Sequence, residues 1–263
     1  MVTSVLKALN ILELFTPQHS VLSLNEITER VGYPKSTVHS MLSTLVSKGY
    51  VEKTGTNSYA LGKRFIPMTQ AVLVNVQLRD RAAPLLRQLG DSTEESVYLT
   101  VLDGNLSLYI YAIETSHRLL ARSAVGDEVP LHCTSVGKAI LAFLPPQQQR
   151  KILSEVGLPA YTENTITEED KLLEDLNKTV KRGYSVDNQE HEVQSYCIGA
   201  PIFNERGEVI GSCSISGHEE TVIREKLDFY SSKIKHTAQE ISRRMGFVPT
   251  NLTQIWKDVD RQP

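Results

Sequence analysis

The chain has 263 residues, and the 40% that are hydrophobic are enough to bury the cores of two modest domains. No apolar run approaches the roughly 18 residues that a membrane-spanning helix needs, and the N-terminus lacks a signal-peptide pattern. We therefore expect a cytoplasmic protein with no membrane partner.

The distribution of charge and the spacing of the cysteines further narrow the class of protein. The formal net charge is −3, yet residues 1–64 hold seven Lys and Arg against four Asp and Glu. A basic N-terminal part joined to an acidic remainder has the sign expected when the first part contacts nucleic acid. The three cysteines have no Cys-x-x-Cys spacing, so we expect neither a disulfide framework nor a metal site.

The first predicted element is an apolar helix that Pro17 should end. Its apolar residues are Val5, Leu6, Leu9, Ile11, Leu12, Leu14 and Phe15. Two interpretations stay open, because the helix could be buried in its own domain or could also contact a second copy of the chain.

The stretch from Ser23 to Gly62 predicts a helix-turn-helix. Ser23 and Glu26 have the spacing of a capping box at the start of a first helix, and Gly32 suits the left-handed turn that ends it. Pro34 then fits the first turn of a second helix, which we expect to end near Lys48 and to bury Val38, Met41, Leu42 and Leu45.

The second of these helices is the candidate DNA-reading element. Its N-terminal part carries short polar or cationic side chains that could approach phosphates and base edges in a major groove, namely Lys35, Ser36, Thr37, His39 and Ser40. Two strands at residues 49–53 and 58–61 follow, joined by a turn-rich loop, and they form the predicted wing.

Two helices at residues 63–75 and 76–91 should link this motif to an α+β domain. There we expect antiparallel strands at residues 97–102, 106–113 and 119–124, then three helices at 135–143, 146–155 and 168–182. Strands at residues 197–203 and 209–216 and a last helix from Glu219 to Met245 complete the domain.

Hydroxyls in this domain suggest a binding site for an oxygen-rich small molecule. Ser135 and Gly137 lie at a predicted helix N-terminus, where exposed amides favour an anion. Ser214 and Ser216 alternate along a strand, so both point to the same side. The alternative is that Ser135 is only a helix cap and the two strand serines face water.

With these residues assembled, the chain resembles the IclR family of bacterial transcriptional regulators over nearly its whole length. Seven separate stretches carry the resemblance, in order and spacing: residues 4–9, 34–38, 49–51 with 59–62, 130–139, 183–188, 197–202 and 214–217.

The resemblance implies a winged DNA-binding domain, a GAF-like domain that binds a small organic acid or aromatic effector, and assembly as a homodimer or tetramer. The segments would be residues 1–62, a helical linker 63–91, the GAF-like domain 92–246 and a tail 247–263. By motif match the effector contacts would be Gly137, Asp187, Cys197, Ser214 and Ser216. Asp187 could instead cap a turn.

The chain departs from the family pattern at three positions. Ser40 stands where Arg is common, which changes the expected DNA contacts. Gln189 stands where Glu is usual and Gln194 where Gly is usual, and a side chain at Gln194 alters the permitted backbone angles or the space beside Cys197.

We expect a transcriptional repressor that uses no cofactor. Two other classes of protein stay open. An enzyme could use Cys197 with a distant histidine such as His132, but the sequence has no nucleophile elbow, phosphate loop or dinucleotide fingerprint. The second domain could also be a dimerisation scaffold that binds no ligand.

Overall fold

The computed structural model describes residues 1–16, 19–71, 76–114 and 125–248. The chain forms two compact units, residues 1–74 and 75–263. Within the described ranges, no helix has the length and apolar character needed to span a membrane. The prediction that Pro17 ends the first helix is wrong, because that helix already ends at Leu12, with Glu13 as its C-cap. The predicted strand at residues 119–124 and all of the tail beyond Val248 lie outside the described residues.

The first unit contains a winged helix-turn-helix. Its helices are α1 (Thr3–Leu12), α2 (Leu24–Val31), α3 (Lys35–Ser47) and α4 (Phe65–Ala71), and its strands are β1 (Val21–Ser23), β2 (Val51–Lys53) and β3 (Ser58–Leu61). β3 pairs antiparallel with β1 and with β2, so β1 adds to the wing a third strand that the sequence did not predict.

Local chemistry fixes both ends of α2 as predicted. Ser23 Oγ accepts a hydrogen bond from Glu26 N at 3.3 Å, and Glu26 Oε2 accepts one from Ser23 N at 2.8 Å, which completes the capping box. Gly32 ends α2 with φ 67°. Pro34 is the N-cap of α3 rather than part of its first turn.

The core of the first unit leaves part of α1 uncovered. Ile11 and Phe15 are buried against α2, α3 and the wing. Val38, Leu42 and Leu45 of α3 are buried as predicted, whereas Met41 is only half-buried. Val5, Leu6 and Leu9 are 42–56% exposed. Both interpretations of α1 therefore remain compatible with the first unit, because one face is core and the other is apolar surface.

The second unit is built on one antiparallel sheet of six strands in the order β6-β5-β4-β9-β8-β7. The strands are β4 (Ser96–Asp103), β5 (Leu106–Ile113), β6 (Glu128–Pro130), β7 (Ser185–Asn188), β8 (Tyr196–Phe203) and β9 (Val209–Gly217). The sequence did not predict β6 or β7. Both are short, with three and four residues, and each pairs with the neighbouring strand in the chain, β6 with β5 and β7 with β8.

Helices cover both faces of this sheet, which confirms the α+β class. They are α5 (Val76–Thr93), α6 (Ser135–Leu141), α7 (Pro146–Val156), α8 (Glu169–Arg182) and α9 (Leu227–Arg244). α5 and α9 share one core with alternate residues of β4, β8 and β9. α6 lies on the other face, where a separate core joins it to α7 and α8.

The predicted linker, residues 63–91, contains α4 and most of α5. α5 continues through Pro84 and buries Leu78, Ala82, Leu86 and Leu89 in the core beneath the sheet. The second linker helix is therefore an integral part of the second unit.

The prediction of one helix from Glu219 to Met245 is wrong at its start. A 3₁₀ turn at Glu220–Val222 comes first, and α9 begins only at Leu227. Val222 is fully buried, and a Cβ on Gly217 would lie 2.6 Å from its Cγ2. The tight turn holds Val222 against the end of β9.

α6 approaches the sheet closely enough for hydroxyls and backbone to meet. A Cβ added to Gly199 of β8 would lie 2.5 Å from Ser135 O, so only glycine fits there. Ser185 Oγ donates to the same carbonyl at 2.5 Å, and Ser212 Oγ donates to Val136 O at 2.9 Å. Two serines and one glycine thereby set the depth of α6.

The outer edge of β8 is closed to further pairing. β7 pairs with β8 only as far as Gly199. Pro201, which lies beyond that point, has no N–H to offer, and Phe203 N donates to Ser242 Oγ of α9 at 3.0 Å. A proline and a side-chain acceptor thus remove the donors that would invite another strand.

Candidate functional site

The N-terminal half of α3 presents polar side chains away from the core of the first unit. Lys35, Ser36, His39 and Ser40 are exposed and Thr37 is half-buried. Lys35 Nζ lies 2.8 Å from Asn25 Oδ1 on α2, which holds the ammonium beside the inter-helix turn. All five predicted DNA-contacting residues thus lie at one end of one helix.

The exposed face of α3 extends further than predicted. Ser36, Ser40, Ser43 and Ser47 follow at intervals of three and four residues, so they form one stripe of small hydroxyls. Ser43 Oγ donates to His39 O at 2.8 Å. The same helical spacing, counted onward from Ser36, would have included Ser43 in the prediction.

A cavity of about 650 Å³ lies beside the uncovered face of α1. Val5, Leu9, Met41, Tyr50 and Met68 are among the residues that line it, so its walls are largely apolar. Ser40 lies at its border and thus adjoins both the polar face of α3 and this apolar groove.

The second unit holds a smaller, polar cavity between α6, β9 and the segment that follows β7. Five of the six predicted effector residues line it: Ser135, Asp187, Cys197, Ser214 and Ser216. Register explains the convergence, because Asp187 faces Cys197 across β7 and β8, and Cys197 faces Ser216 across β8 and β9. Its volume is about 30 Å³.

Gly137, the sixth predicted effector residue, does not line this cavity. Its N–H donates to Thr134 Oγ1 at 3.0 Å, so the expectation of a free amide for a ligand is wrong there. A Cβ on Gly137 would lie 2.5 Å from Leu131 Cα and 2.6 Å from Leu131 O. Gly137 allows α6 to pack against the preceding loop.

Polar contacts tie the lining together. Cys197 Sγ lies 2.8 Å from Ser216 Oγ and 3.4 Å from Ser195 Oγ. Asp187 Oδ1 accepts a hydrogen bond from Glu190 N at 2.8 Å. Asp187 therefore caps the turn after β7, as the alternative predicted, and the same residue also lines the cavity.

Family models match both parts of the chain. Residues 4–55 match the IclR helix-turn-helix domain, and residues 70–243 match the C-terminal domain of the bacterial transcriptional regulator IclR. The chain belongs to the IclR family. It is a DNA-binding transcriptional regulator, as its family and fold predict.

Individual IclR-family relatives cover nearly the whole chain. The HTH-type transcriptional regulator KipR of Bacillus subtilis is 32% identical over 244 residues, which are 93% of this chain and 97% of KipR. The transcriptional repressor IclR of Escherichia coli is 31% identical over 93% of this chain and 90% of its own. The crystal structure of Thermotoga maritima IclR has a TM-score of 0.82 at 34% identity, covering 94% of this chain and 100% of that one.

Several residues lining the cavity of this IclR-family protein were not predicted. Tyr98 and Tyr109 form an edge-to-face pair with ring centroids 5.3 Å apart. His191 and Glu192 line the cavity from the segment after β7. The alternation of β4 could have placed Tyr98 on the α6 side, since Val97 and Leu99 are evidently core. No local signal marks His191 or Glu192.

That segment is held in an uncommon backbone conformation. Gln189 and Gln194 have φ of 58° and 60°, and Gln194 N donates to Gln189 Oε1 at 2.9 Å. The sequence indicated that a side chain in place of Gly at Gln194 would affect backbone angles or space. The backbone at Gln194 adopts the left-handed conformation, which costs a residue with a side chain roughly 1 kcal/mol of strain.

A buried lysine forms an ion pair with the same segment, residues 189–194. Lys138 of α6 is 1% exposed, and its Nζ lies 2.6 Å from Glu190 Oε1 and 2.9 Å from Asp175 Oδ2. The two carboxylates raise the pKa of Lys138 against the opposing effect of its burial. This ion cluster fixes α6, α8 and the segment after β7 to one another.

Burial and the neighbouring Glu190 raise the pKa of Asp187 to about 8, in spite of Lys138. At neutral pH its carboxyl is therefore mostly protonated and can donate a hydrogen bond. Burial also lowers the pKa of His191, so this imidazole is neutral at the same pH. The cavity thus presents hydroxyls and a neutral carboxyl rather than a fixed negative charge at Asp187.

The sequence alternative of a Cys197 and His132 nucleophile pair is not assembled here. His132 Nε2 lies 3.1 Å from Pro159 O, while Cys197 Sγ contacts Ser216. Among the described residues there is also no group of three or more His, Cys, Asp or Glu side chains suited to a metal ion. The relatives reported above are transcriptional regulators.

The raised pKa of Asp187 gives a pH prediction for stability. The unfolded chain releases this proton near the ordinary value of 3.8, while the native state keeps it up to about pH 8. The Asp187 contribution to the free energy of unfolding should therefore fall as pH rises from about 4 to 8, by at most about 1.4 kcal/mol per pH unit.

Asp187→Asn removes the titrating group while keeping the shape, so urea denaturation at several pH values should show a flatter fall in that range than the unsubstituted protein. Asp103→Asn makes the same substitution at an exposed position and serves as control. The same pH slope for Asp187→Asn and the unsubstituted protein would contradict the assignment.

Proposed function

We propose that this IclR-family protein is a repressor that acts in the bacterial cytoplasm on a partly palindromic operator and is released or retained by a small organic effector. We propose repression rather than activation because E. coli IclR, which is 31% identical over 93% of this chain, is named a transcriptional repressor. Support for the effector comes from one observation, the convergence of five predicted residues on one polar cavity.

The N-terminal half of α3 is the proposed reading surface. Lys35 has the exposure and position to approach a phosphate, while Ser36, Thr37 and His39 can reach base edges in the major groove. Ser40 is too short to make the bidentate guanine contact of an arginine. A weaker phosphate or water-mediated contact is the role we assign to Ser40.

The chemistry of the cavity selects the proposed effector class. Ser214, Ser216 and Ser135 supply hydroxyls, and a protonated Asp187 can donate to a carboxylate instead of repelling it. Tyr98 and Tyr109 offer ring faces to the apolar part of a ligand. A small organic acid or hydroxylated aromatic acid meets all of these groups.

The cavity must enlarge to admit such a molecule. Its volume of about 30 Å³ holds about one water. The segment from Gln189 to Gln194 is the part we propose to move, turning about the contact of Glu190 with Lys138, because it lines the cavity through His191 and Glu192 and stores backbone strain at both ends. An effector that prefers the enlarged state then shifts the population of states with different operator affinity.

We also propose that the apolar groove beside α1 is where two copies meet. A homodimer would cover Val5 and Leu9, and it would hold two reading helices about one helical turn of DNA, or a multiple, apart. The groove of about 650 Å³ is large enough to receive side chains of a second helix.

Lys35→Ala should weaken binding to operator and to random DNA alike, and it should lower the slope of log K against log salt by about one, because one phosphate contact is lost. Fluorescence anisotropy over a salt series measures both effects. Lys48→Ala, an exposed lysine at the other end of the same helix, is the matched control. If Lys35→Ala leaves the salt slope equal to that of the control, α3 does not enter the groove as proposed.

Ser214→Ala combined with Ser216→Ala should abolish the effector response while effector-free operator affinity stays the same. The response in the unsubstituted protein should be a roughly 5- to 150-fold change in operator affinity. It is measured by anisotropy with a panel of short hydroxy and oxo acids and hydroxybenzoates. Ser154→Ala with Ser232→Ala, both exposed, controls for lost hydroxyls. A double variant that still responds at the same concentrations would place the effector elsewhere.

Leu9→Asp should dissociate the proposed dimer and weaken operator binding, since it puts a charge into the apolar contact. Sedimentation equilibrium gives the mass, and Val156→Asp offers the same change at an exposed apolar site of the second unit. An unchanged mass for Leu9→Asp would rule out this face as the interface.

A further inference from the structure

We call the polar cavity lined by Ser135, Asp187, Cys197, Ser214 and Ser216 the effector cavity, after the function proposed for it. A second cavity lies in the second unit, away from the effector cavity. It has a volume of about 220 Å³ and is bordered by the C-terminus of α8, the outer edge of β8 and the middle of α9. No residue lining it also lines the effector cavity. We call it the phenylalanine cavity after Phe143, Phe203 and Phe247.

The walls of the phenylalanine cavity are apolar and preformed. Phe143 and Phe203 meet edge to face with ring centroids 5.3 Å apart, and Phe203 and Phe247 are 5.4 Å apart. Ala200 and Ala238 complete the floor as small buried side chains. A dry engineered cavity of about 150 Å³ is known to bind benzene, so the phenylalanine cavity has room for one aromatic ring or a short acyl chain.

Cations line the rim. Lys181 of α8 and Lys235 of α9 both border the cavity. Within the described part of the chain, neither ammonium has a carboxylate within 4.0 Å. Arg182 beside them is already engaged, since its Nε donates to Tyr184 O at 2.6 Å and its Nη2 lies 3.7 Å from Asp175 Oδ1.

The helix dipole accounts for the positive charge of Lys181 but not for that of Lys235. Lys181 lies in the last turn of α8, where a cation compensates the helix dipole. Lys235 lies in the middle of α9, where no dipole needs it, and its Nζ sits 5.5 Å from the centroid of the Tyr184 ring. Lys235 is thus a half-buried positive charge held over an aromatic ring at the mouth of an apolar cavity.

We propose that the phenylalanine cavity is a second ligand site, specific for a small monocarboxylate with an apolar body. The ring or acyl chain packs on the three phenylalanines, and the carboxylate pairs with Lys235 and Lys181. Polyanions fit poorly because the three phenylalanines and two alanines give a second anionic group no cationic partner inside the cavity, and the hydroxyl of Ser242 already donates to Ala238 O at 2.7 Å. Neutral isosteres lose the charge contact.

The position of the phenylalanine cavity allows it to influence the effector cavity. α6 begins at Ser135 in the effector cavity, and Phe143 in the phenylalanine cavity follows just beyond its end. β8 likewise runs from Cys197 to Phe203. Each element touches one cavity at one end and the other cavity at or near its opposite end.

The test uses 4-fluorobenzoate as the probe and ¹⁹F NMR titration of the full chain as the readout. It is done in the background of Ser214→Ala with Ser216→Ala, so that binding in the effector cavity is weakened and cannot be mistaken for the second site. Lys235→Met keeps the length of the side chain but removes the charge. Lys233→Met is the matched control, because Lys233 lies on the same helix over another ring, Phe229, and borders a different cavity.

We expect 4-fluorobenzoate to bind this background, Lys235→Met to raise its Kd about tenfold, and Lys233→Met to leave it unchanged. The neutral probe 4-fluorobenzyl alcohol should bind more weakly than 4-fluorobenzoate and should not distinguish the two lysine variants. Equal Kd values for Lys235→Met and Lys233→Met, or equal binding of the acid and the alcohol, would overturn the proposal.

Loss of all 4-fluorobenzoate binding in the double serine background, with binding in the unsubstituted protein, would assign the probe to the effector cavity and also overturn the proposal. A chain ending at Val248 tests a competing occupant, since the residues beyond it include Trp256, Asp258 and Asp260. Binding of 4-fluorobenzoate only to the shortened chain would assign the cavity to those residues instead. Equal binding to both lengths supports the ligand site.

Discussion

The close contact between α6 and the sheet is the constraint on which the second unit depends. It exists because Gly199 has no Cβ, and because Ser185 and Ser212 reach the first carbonyls of α6 with their hydroxyls. A polar contact this close costs little only when each carbonyl has a donor. It brings Ser135 beside β9 and leaves the effector cavity at the start of the helix.

The close packing of α6 on the sheet also determines the charges beside the effector cavity. Lys138 enters the interior with α6 and is compensated by Glu190 and Asp175, which ties the segment after β7 to the helix. Asp187, left without a direct partner of opposite charge, retains its proton instead. One buried cation and one neutral acid therefore reduce the negative charge around this cavity, although Glu192 also lines it.

Local chemistry decided how much of this could be predicted from the sequence. The capping box at Ser23 and Glu26 and the turn at Gly32 depend on neighbours a few residues away, and all three were predicted. The placing of His191 in the cavity depends on β4 and α6, which lie far along the chain. β7 is too short to show a periodic pattern of its own, and its pairing with β8 gives it order. The family motifs pointed to Asp187 and Cys197, which do line one cavity, and to Gly137, which lies outside it and allows close packing of α6.

The small resting volume of the effector cavity has a kinetic consequence for an IclR-family regulator. If the segment between Gln189 and Gln194 must open before a ligand enters, the rate of binding levels off at high ligand concentration at the rate of opening. The apparent affinity is also reduced by the fraction of molecules that are open. The left-handed backbone at both ends of that segment destabilises the closed form, and it therefore raises the fraction of molecules in which the segment is open.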